Sequence, residues 1–186
     1  MALTESKMMA LGTVAPDFTL PEVVSGKLLR LKDLRSDLAT VVMFICNHCP
    51  YVIHVNPELI RVANDYTGKG VSFVAISSND VEKYPADSPE KMKALALELG
   101  YPFPYCYDGT QEVARAYDAA CTPDFYVFDK DLKLVYRGRL DDSRPKTERP
   151  LTGRDLRAAL DAVLEGRQIS PVQRPSSGCN IKWKAS

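Results

Sequence analysis

The stretch ATVVMFICNHCPYVIHV, residues 39–55, changes character halfway along. Ala39 to Cys46 is apolar almost throughout and partly β-branched, the composition of a strand buried on both faces of a sheet. From Val52 onward the period becomes helical: Val52, Val55, Leu59, Val62 and Tyr66 recur at alternating spacings of three and four. Pro57 is expected to kink that helix. VSFVAISS, residues 71–78, reads as a second buried strand, so residues 39–78 form a β-α-β unit. Cys46, His48 and Cys49 stand where strand hands over to helix, with His54 beyond them. Such a group is a metal site, a redox dithiol, a catalytic thiol with its base, or a coincidence of a buried core.

Outward from this unit the elements follow from end signals. Ser88 or Asp87 can cap the next helix, Pro89 suits its first turn, Met92, Leu95, Ala96 and Leu99 form its inner face, and Gly100 ends it. YPFPYCY suggests a short strand interrupted by prolines, with Cys106 in the core, and QEVARAYDA a short helix. DFYVFD and LKLVYRG flank KD as a β-hairpin, and DFTL and KLLRL around SG predict another near the N-terminus. Thr152 and Asp155 resemble a capping box for the last helix, whose stripe is Leu156, Ala159, Leu160, Val163 and Leu164, with Gly166 as its stop. The charged run DDSRPKTERP is expected to be a solvated loop. The order predicts an α/β fold of three layers: a mixed central sheet with helices on both faces and an N-terminal β-hairpin. Residues 1–168 are expected to form one domain, and 169–186 a tail docked on it.

Lys plus Arg and Asp plus Glu are both 24, so the formal charge is zero and nothing points to nucleic acid or an anionic membrane. No segment reaches the roughly 18 apolar residues of a membrane span, and the N-terminus does not read as a secretory signal, so a cytoplasmic location is expected. Five cysteines at uneven spacing do not make a secreted disulfide framework. The close pair Cys46–Cys49 is then catalytic or metal-binding.

A Cys-x-x-Cys at a strand-to-helix junction of a β-α-β unit is a redox arrangement. Cys46 is expected at the helix N-terminus, where unpaired N–H groups and the helix dipole favour a thiolate. A thiol of pKa ~8.5 is only about 3% ionised at pH 7, and the dipole supplies about 0.3–1 kcal/mol against the ~1.4 kcal/mol of one pKa unit. Protonated His48 and a hydrogen bond from Cys49 are expected to supply the rest.

GTVAPDFTLP at residues 12–21, CNHCP at 46–50 and CTPDFYVFD at 121–129 carry a resemblance to the thioredoxin-like superfamily. Within it the chain is similar to the redoxin branch that includes alkyl hydroperoxide reductase and thiol-specific antioxidant proteins. The likeness spans residues 12 to 168 or so, and the chain closely resembles small bacterial thioredoxin-like proteins with CNHCPYV and a GC-x-IKW tail. It implies a cis Pro123 beside the dithiol, with Thr122 offering its backbone to a substrate. Asn47 joins these as a substrate-binding residue. Three departures from the pattern stand out: Met43 and Ala39 occupy the positions of the peroxiredoxin Thr and Pro, strand 39–46 has Thr40 but no buried acid, and Asn47-His48 separates the cysteines.

The expected activity is thiol–disulfide exchange: Cys46 attacks a substrate disulfide, Cys49 of higher pKa resolves the mixed disulfide, and His48 lowers the Cys46 pKa. A thiol peroxidase is the alternative, weakened by the missing Thr, and a metal- or client-binding protein is a further one. No cofactor or resident metal is expected, since His48 lies inside the turn and His54 off the ideal face. The partners expected are a protein or small-molecule disulfide and a thiol reductant or reductase. Cys121, Arg139 and Cys179 are auxiliary candidates. Cys121 is a resolving thiol or a bystander, Arg139 orients substrate or is a surface residue, and Cys179 on the docked tail reaches a redox partner or is inert.

Overall fold

The computed structural model describes residues 3–186. The chain runs β1 (Leu3–Glu5), β2 (Thr19–Pro21), β3 (Leu28–Arg30), α1 (Leu31–Leu34), β4 (Ala39–Phe44), α2 (Pro50–Thr67), β5 (Val71–Ser77), a 3₁₀ turn (Pro85–Asp87), α3 (Pro89–Leu99), β6 (Tyr105–Tyr107), α4 (Glu112–Ala116), β7 (Cys121–Thr122), β8 (Asp124–Asp129), β9 (Leu134–Gly138), α5 (Arg154–Leu164) and β10 (Ser177–Asn180). β6, β5, β4, β8 and β9 form the central sheet in that order, with β4 parallel to β5 and antiparallel to β8. Apolar on both faces, β4 is buried at every position. Val41, Met43 and Ile45 pack with α2, α3 and α5, while Val42 and Phe44 pack with α1, α4 and the β2–β3 hairpin. This is the expected mixed sheet with helices on both faces and a hairpin near the N-terminus.

The helices differ from their sequence reading at the ends. α2 buries Val52, Val55, Leu59, Val62 and Tyr66, and is continuous through Pro57. α3 starts at Ser88, whose hydroxyl accepts from Lys91 N, and stops at Gly100 in the left-handed region, but it buries only Met92 and Ala96 and leaves Leu99 exposed. The capping box expected for α5 does not form. Its N-cap is Gly153, with no side-chain cap, and Asp155 pairs with Arg139 at 2.6 Å instead. The loop expected to be solvated is partly buried: Asp141 accepts from Ser143 N, Thr152 N and Gly153 N, and so organises the approach to α5.

The segment after residue 169 is built into the fold by its backbone. β10 lies between β1 and β7, antiparallel to both, in a second, three-stranded sheet. Ile181 N donates to Ala120 O, Lys182 N to Asn79 Oδ1 and Arg139 N to Arg174 O. Two glycines permit the close approach. A Cβ at Gly178 would lie 1.9 Å from Thr122 O, and one at Gly138 would lie 2.0 Å from Arg174 O.

Candidate active site

β4 delivers the dithiol. Ile45 N still reaches Ile76 O of β5 at 3.0 Å, and Cys46 is the first residue off the sheet. α2 then begins at Pro50, which suits the first helical position because it has no N–H to leave unpaired. That fixes Cys49 as the N-cap, its carbonyl accepting from Val52 N and Ile53 N at 3.0 Å each. The expectation that Cys46 occupies the helix N-terminus is therefore corrected: the helix start acts on Cys49.

Both sulfurs are buried, Cys46 at 1% exposure and Cys49 at 0%. None of the five cysteines forms a disulfide. Cys46 Sγ lies 3.7 Å from Thr122 Oγ1, and Cys49 Sγ lies 3.5 Å from Thr122 O. A hydrogen bond from the Cys46 thiol draws Cys49 down to about 5 against the opposing effect of burial, helped by Cys179, Thr122 and the Val52 N–H. Cys46 is held well above the ordinary thiol range by its hydrogen bond to Cys49, by burial and by the Asp87 carboxylate. The two thiols titrate as a coupled pair holding one anion, and the hydrogen bonds around it direct that anion toward Cys49.

The buried acid that strand 39–46 lacks is supplied from elsewhere. Asp87, fully buried in the 3₁₀ turn, accepts from Asn47 N at 2.8 Å, His48 N at 3.3 Å and Asn79 Nδ2 at 2.8 Å. His48 Nδ1 lies 2.5 Å from Asp87 Oδ2, out of line for a hydrogen bond, and the ring stacks on Tyr84 at 5.6 Å and 4°. A charge on His48 thus faces the Asp87 carboxylate as well as the thiol. Cys46 Sγ, a ring nitrogen of His48 and an Asp87 oxygen all lie within 4.8 Å of one another, three donors of the kind a borderline-soft cation takes. His54 is not among them, because its Nε2 meets Ser143 Oγ at 2.8 Å.

The remaining residues singled out in the sequence divide by where their groups point. Thr122–Pro123 is cis. Thr122 does not offer an open edge, because β10 covers it in the register Cys179↔Thr122. The Asn47 side chain is held inward, donating to Ala86 O and accepting from Tyr105 OH, each at 2.9 Å. Arg139 lies along a small cleft with Pro123, its guanidinium on Asp155. Cys121 faces the carbonyls of Pro123 and Ser176 at 3.9 Å, and burial keeps its thiol far above the ordinary range. Cys179 turns inward onto Cys49. The sequence reading missed Asp87 as a site residue, since it read only as a cap of α3, and missed Asp124 beside Pro123. Asp124 is wholly buried and opposite Phe44, and burial raises its carboxyl to about 7 despite hydrogen bonds from Ser6, Tyr126 and Phe125 N.

A mixed sheet that delivers two hydrogen-bonded thiols to a helix start, beside a cis-proline, defines the thioredoxin-like class. Within that class the chain belongs to the AhpC/TSA family, whose pattern matches residues 11–137. It is 66% identical to a conserved protein from Geobacillus kaustophilus of known crystal structure, with a TM-score of 0.99 over 100% of this chain and 98% of that one. It is 24% identical to the thiol-disulfide oxidoreductase ResA of Bacillus thuringiensis over 70% of each chain. A thiol:disulfide interchange protein of the thioredoxin family from Chlorobium tepidum shares the fold, with a TM-score of 0.64 and 20% identity over 84% of this chain and 99% of that one.

Proposed function

We propose that the chain is a thiol–disulfide oxidoreductase acting through Cys46 and Cys49, in a reducing compartment such as the cytoplasm. The observation that carries this reading is the pair of hydrogen-bonded thiols between β4 and α2, with the anion drawn to Cys49. Cys46 precedes the half-exposed Asn47 and His48, whereas Cys49 is enclosed by Cys46, Cys179 and Thr122, so Cys46 meets the substrate. As Cys46 Sγ attacks one sulfur of a substrate disulfide, its proton passes to the Cys49 thiolate and the other substrate sulfur leaves as thiolate. That leaving thiolate takes the proton from Cys49. Cys49 Sγ then attacks Cys46 Sγ, the mixed disulfide breaks, and the second substrate thiolate departs. Two electrons have moved to the substrate, and a thiol reductant or reductase restores the dithiol.

Stabilising the thiolate stabilises the reduced form and raises the potential. The pair is therefore expected to lie well above the roughly −270 mV of thioredoxin, toward about −180 mV. Thiol labelling across a series of redox buffers measures this, with Cys46→Ser abolishing turnover of a disulfide substrate. Absence of any two-electron couple would sink the reading. Membership of the AhpC/TSA family supports a second reading, a thiol peroxidase in which peroxide oxidises Cys46 to a sulfenic acid resolved by Cys49. Rapid sulfenic acid formation at low peroxide would favour it over disulfide exchange. The side chain at position 43, where a Thr would align peroxide, is Met.

A further inference from the structure

We propose that Cys179 is a third redox thiol of this site, which exchanges with the Cys46–Cys49 disulfide to form Cys49–Cys179 and release Cys46. This rests on the dithiol function proposed above and extends it. Three observations carry it. β10 is registered so that Cys179 pairs with Thr122, the same residue whose carbonyl lies 3.5 Å from Cys49 Sγ. Cys179 hydrogen-bonds to Cys49, and the three thiols share one buried cluster with Val52 and Val55 of α2. Cys106, by contrast, packs on the opposite face of the sheet, and Cys121 faces two carbonyls.

The segment is fastened on both sides of Cys179. Ser6 N donates to Ser176 O at 2.9 Å before it, while Ile181 N and Lys182 N are bonded to Ala120 O and Asn79 Oδ1 after it. A passively packed tail needs no such register at a thiol.

Exchange is gated by the state of Cys49. In the reduced site Cys179 is a donor, raised to about 12 by burial and by the hydrogen bond and charge of Cys49, while Lys182 opposes. Once Cys49 is in a disulfide its charge is gone, and two of the causes that hold the proton on Cys179 go with it. Cys179 Sγ then bonds to Cys49 Sγ, the Cys46–Cys49 bond breaks, and Cys46 leaves as thiolate and takes the proton. No electrons enter or leave in this step; the oxidising equivalents came from the substrate disulfide. The product keeps its disulfide beneath the site and presents Cys46 again to a second substrate.

The test is disulfide mapping of the full chain after equilibration in glutathione redox buffers, acid quench and alkylation. Wild type is expected to give both the Cys46–Cys49 and Cys49–Cys179 linkages, the second in at least about a tenth of oxidised molecules. Cys179→Ser is expected to lose only the second, and Cys46→Ser to keep a two-electron couple through Cys49–Cys179. Wild type yielding Cys46–Cys49 alone overturns the inference, whatever the variants do, and leaves the proposed function standing. Wild type yielding neither linkage removes both.

Discussion

Asp87 reaches the dithiol from a turn some forty residues further along the chain, where it holds the backbone of Asn47 and His48 and raises the Cys46 thiol. Asp87→Asn removes that charge, so alkylation of Cys46 at about pH 8 should speed up several-fold, while the weaker acceptor costs the fold on the order of 1–3 kcal/mol. Unchanged labelling would mean that the carboxylate does not act on the thiol. Asp124 gives a second residue-level prediction. Its folded pKa of about 7 is above the ordinary carboxyl value, so its contribution to stability is full below about 4 and is lost as pH rises through 7. Asp124→Asn should lack this loss, which urea unfolding at pH values across that window would register; parallel curves for the two proteins would contradict it. Cys46, Cys49 and Pro123 were legible in the sequence because each lies in a short local pattern. Asp87 and Asp124 were not, because burial beside a partner remote in the chain made them what they are. The balance within the dithiol depends on the Cys46–Cys49 hydrogen bond, on a third cysteine and on the N-cap of α2 falling at Cys49, three residues beyond Cys46.

The sequence announced β4, β5, α2, α3 and α5 by their apolar pattern, and β2–β3, β6, α4 and β8–β9 by turn signals and short runs. β1, β7 and β10 have two to four residues each and exist only as one another's partners, so no run of residues in any of them predicts a strand. Their sheet nevertheless decides what surrounds Cys49. Gly178→Ala tests its hold on the tail, since the added Cβ would meet Thr122 O at 1.9 Å with Pro123 Cδ 3.3 Å away. Backbone cannot yield as a side-chain tip does, so a loss of about 1–3 kcal/mol is expected. Limited proteolysis should then cut after residue 169 under conditions where wild type resists. A resistant variant would show that β10 is not held by that contact.

For the molecule as a whole, the preference for thiolate at Cys49 ties folding to redox state. The reduced protein gains from an ionised Cys49 that the disulfide form lacks, so reduced protein should unfold at higher urea than oxidised protein at about pH 8. The sign follows from a folded pKa of about 5, below the ordinary thiol value: the gain is full above about 8.5 and is lost as pH falls through 5. Equal midpoints in both redox states at high pH would refute it. The three-layer arrangement was legible from the order of elements, since a parallel β4–β5 pair joined by a helix needs covering on both faces. The second sheet was not, because its strands come from opposite regions of the sequence.

That distance has a consequence for a chain still being made. A ribosome delivers β4 and α2 well before β10, and chains begin to fold from the N-terminal side as they emerge. For an interval the nascent chain carries Cys46 and Cys49 with the edge of β7 open and Cys179 still to come. Any cellular disulfide that reaches the pair then meets two thiols beside an uncovered strand, and Cys179 arrives only when β10 closes over Thr122.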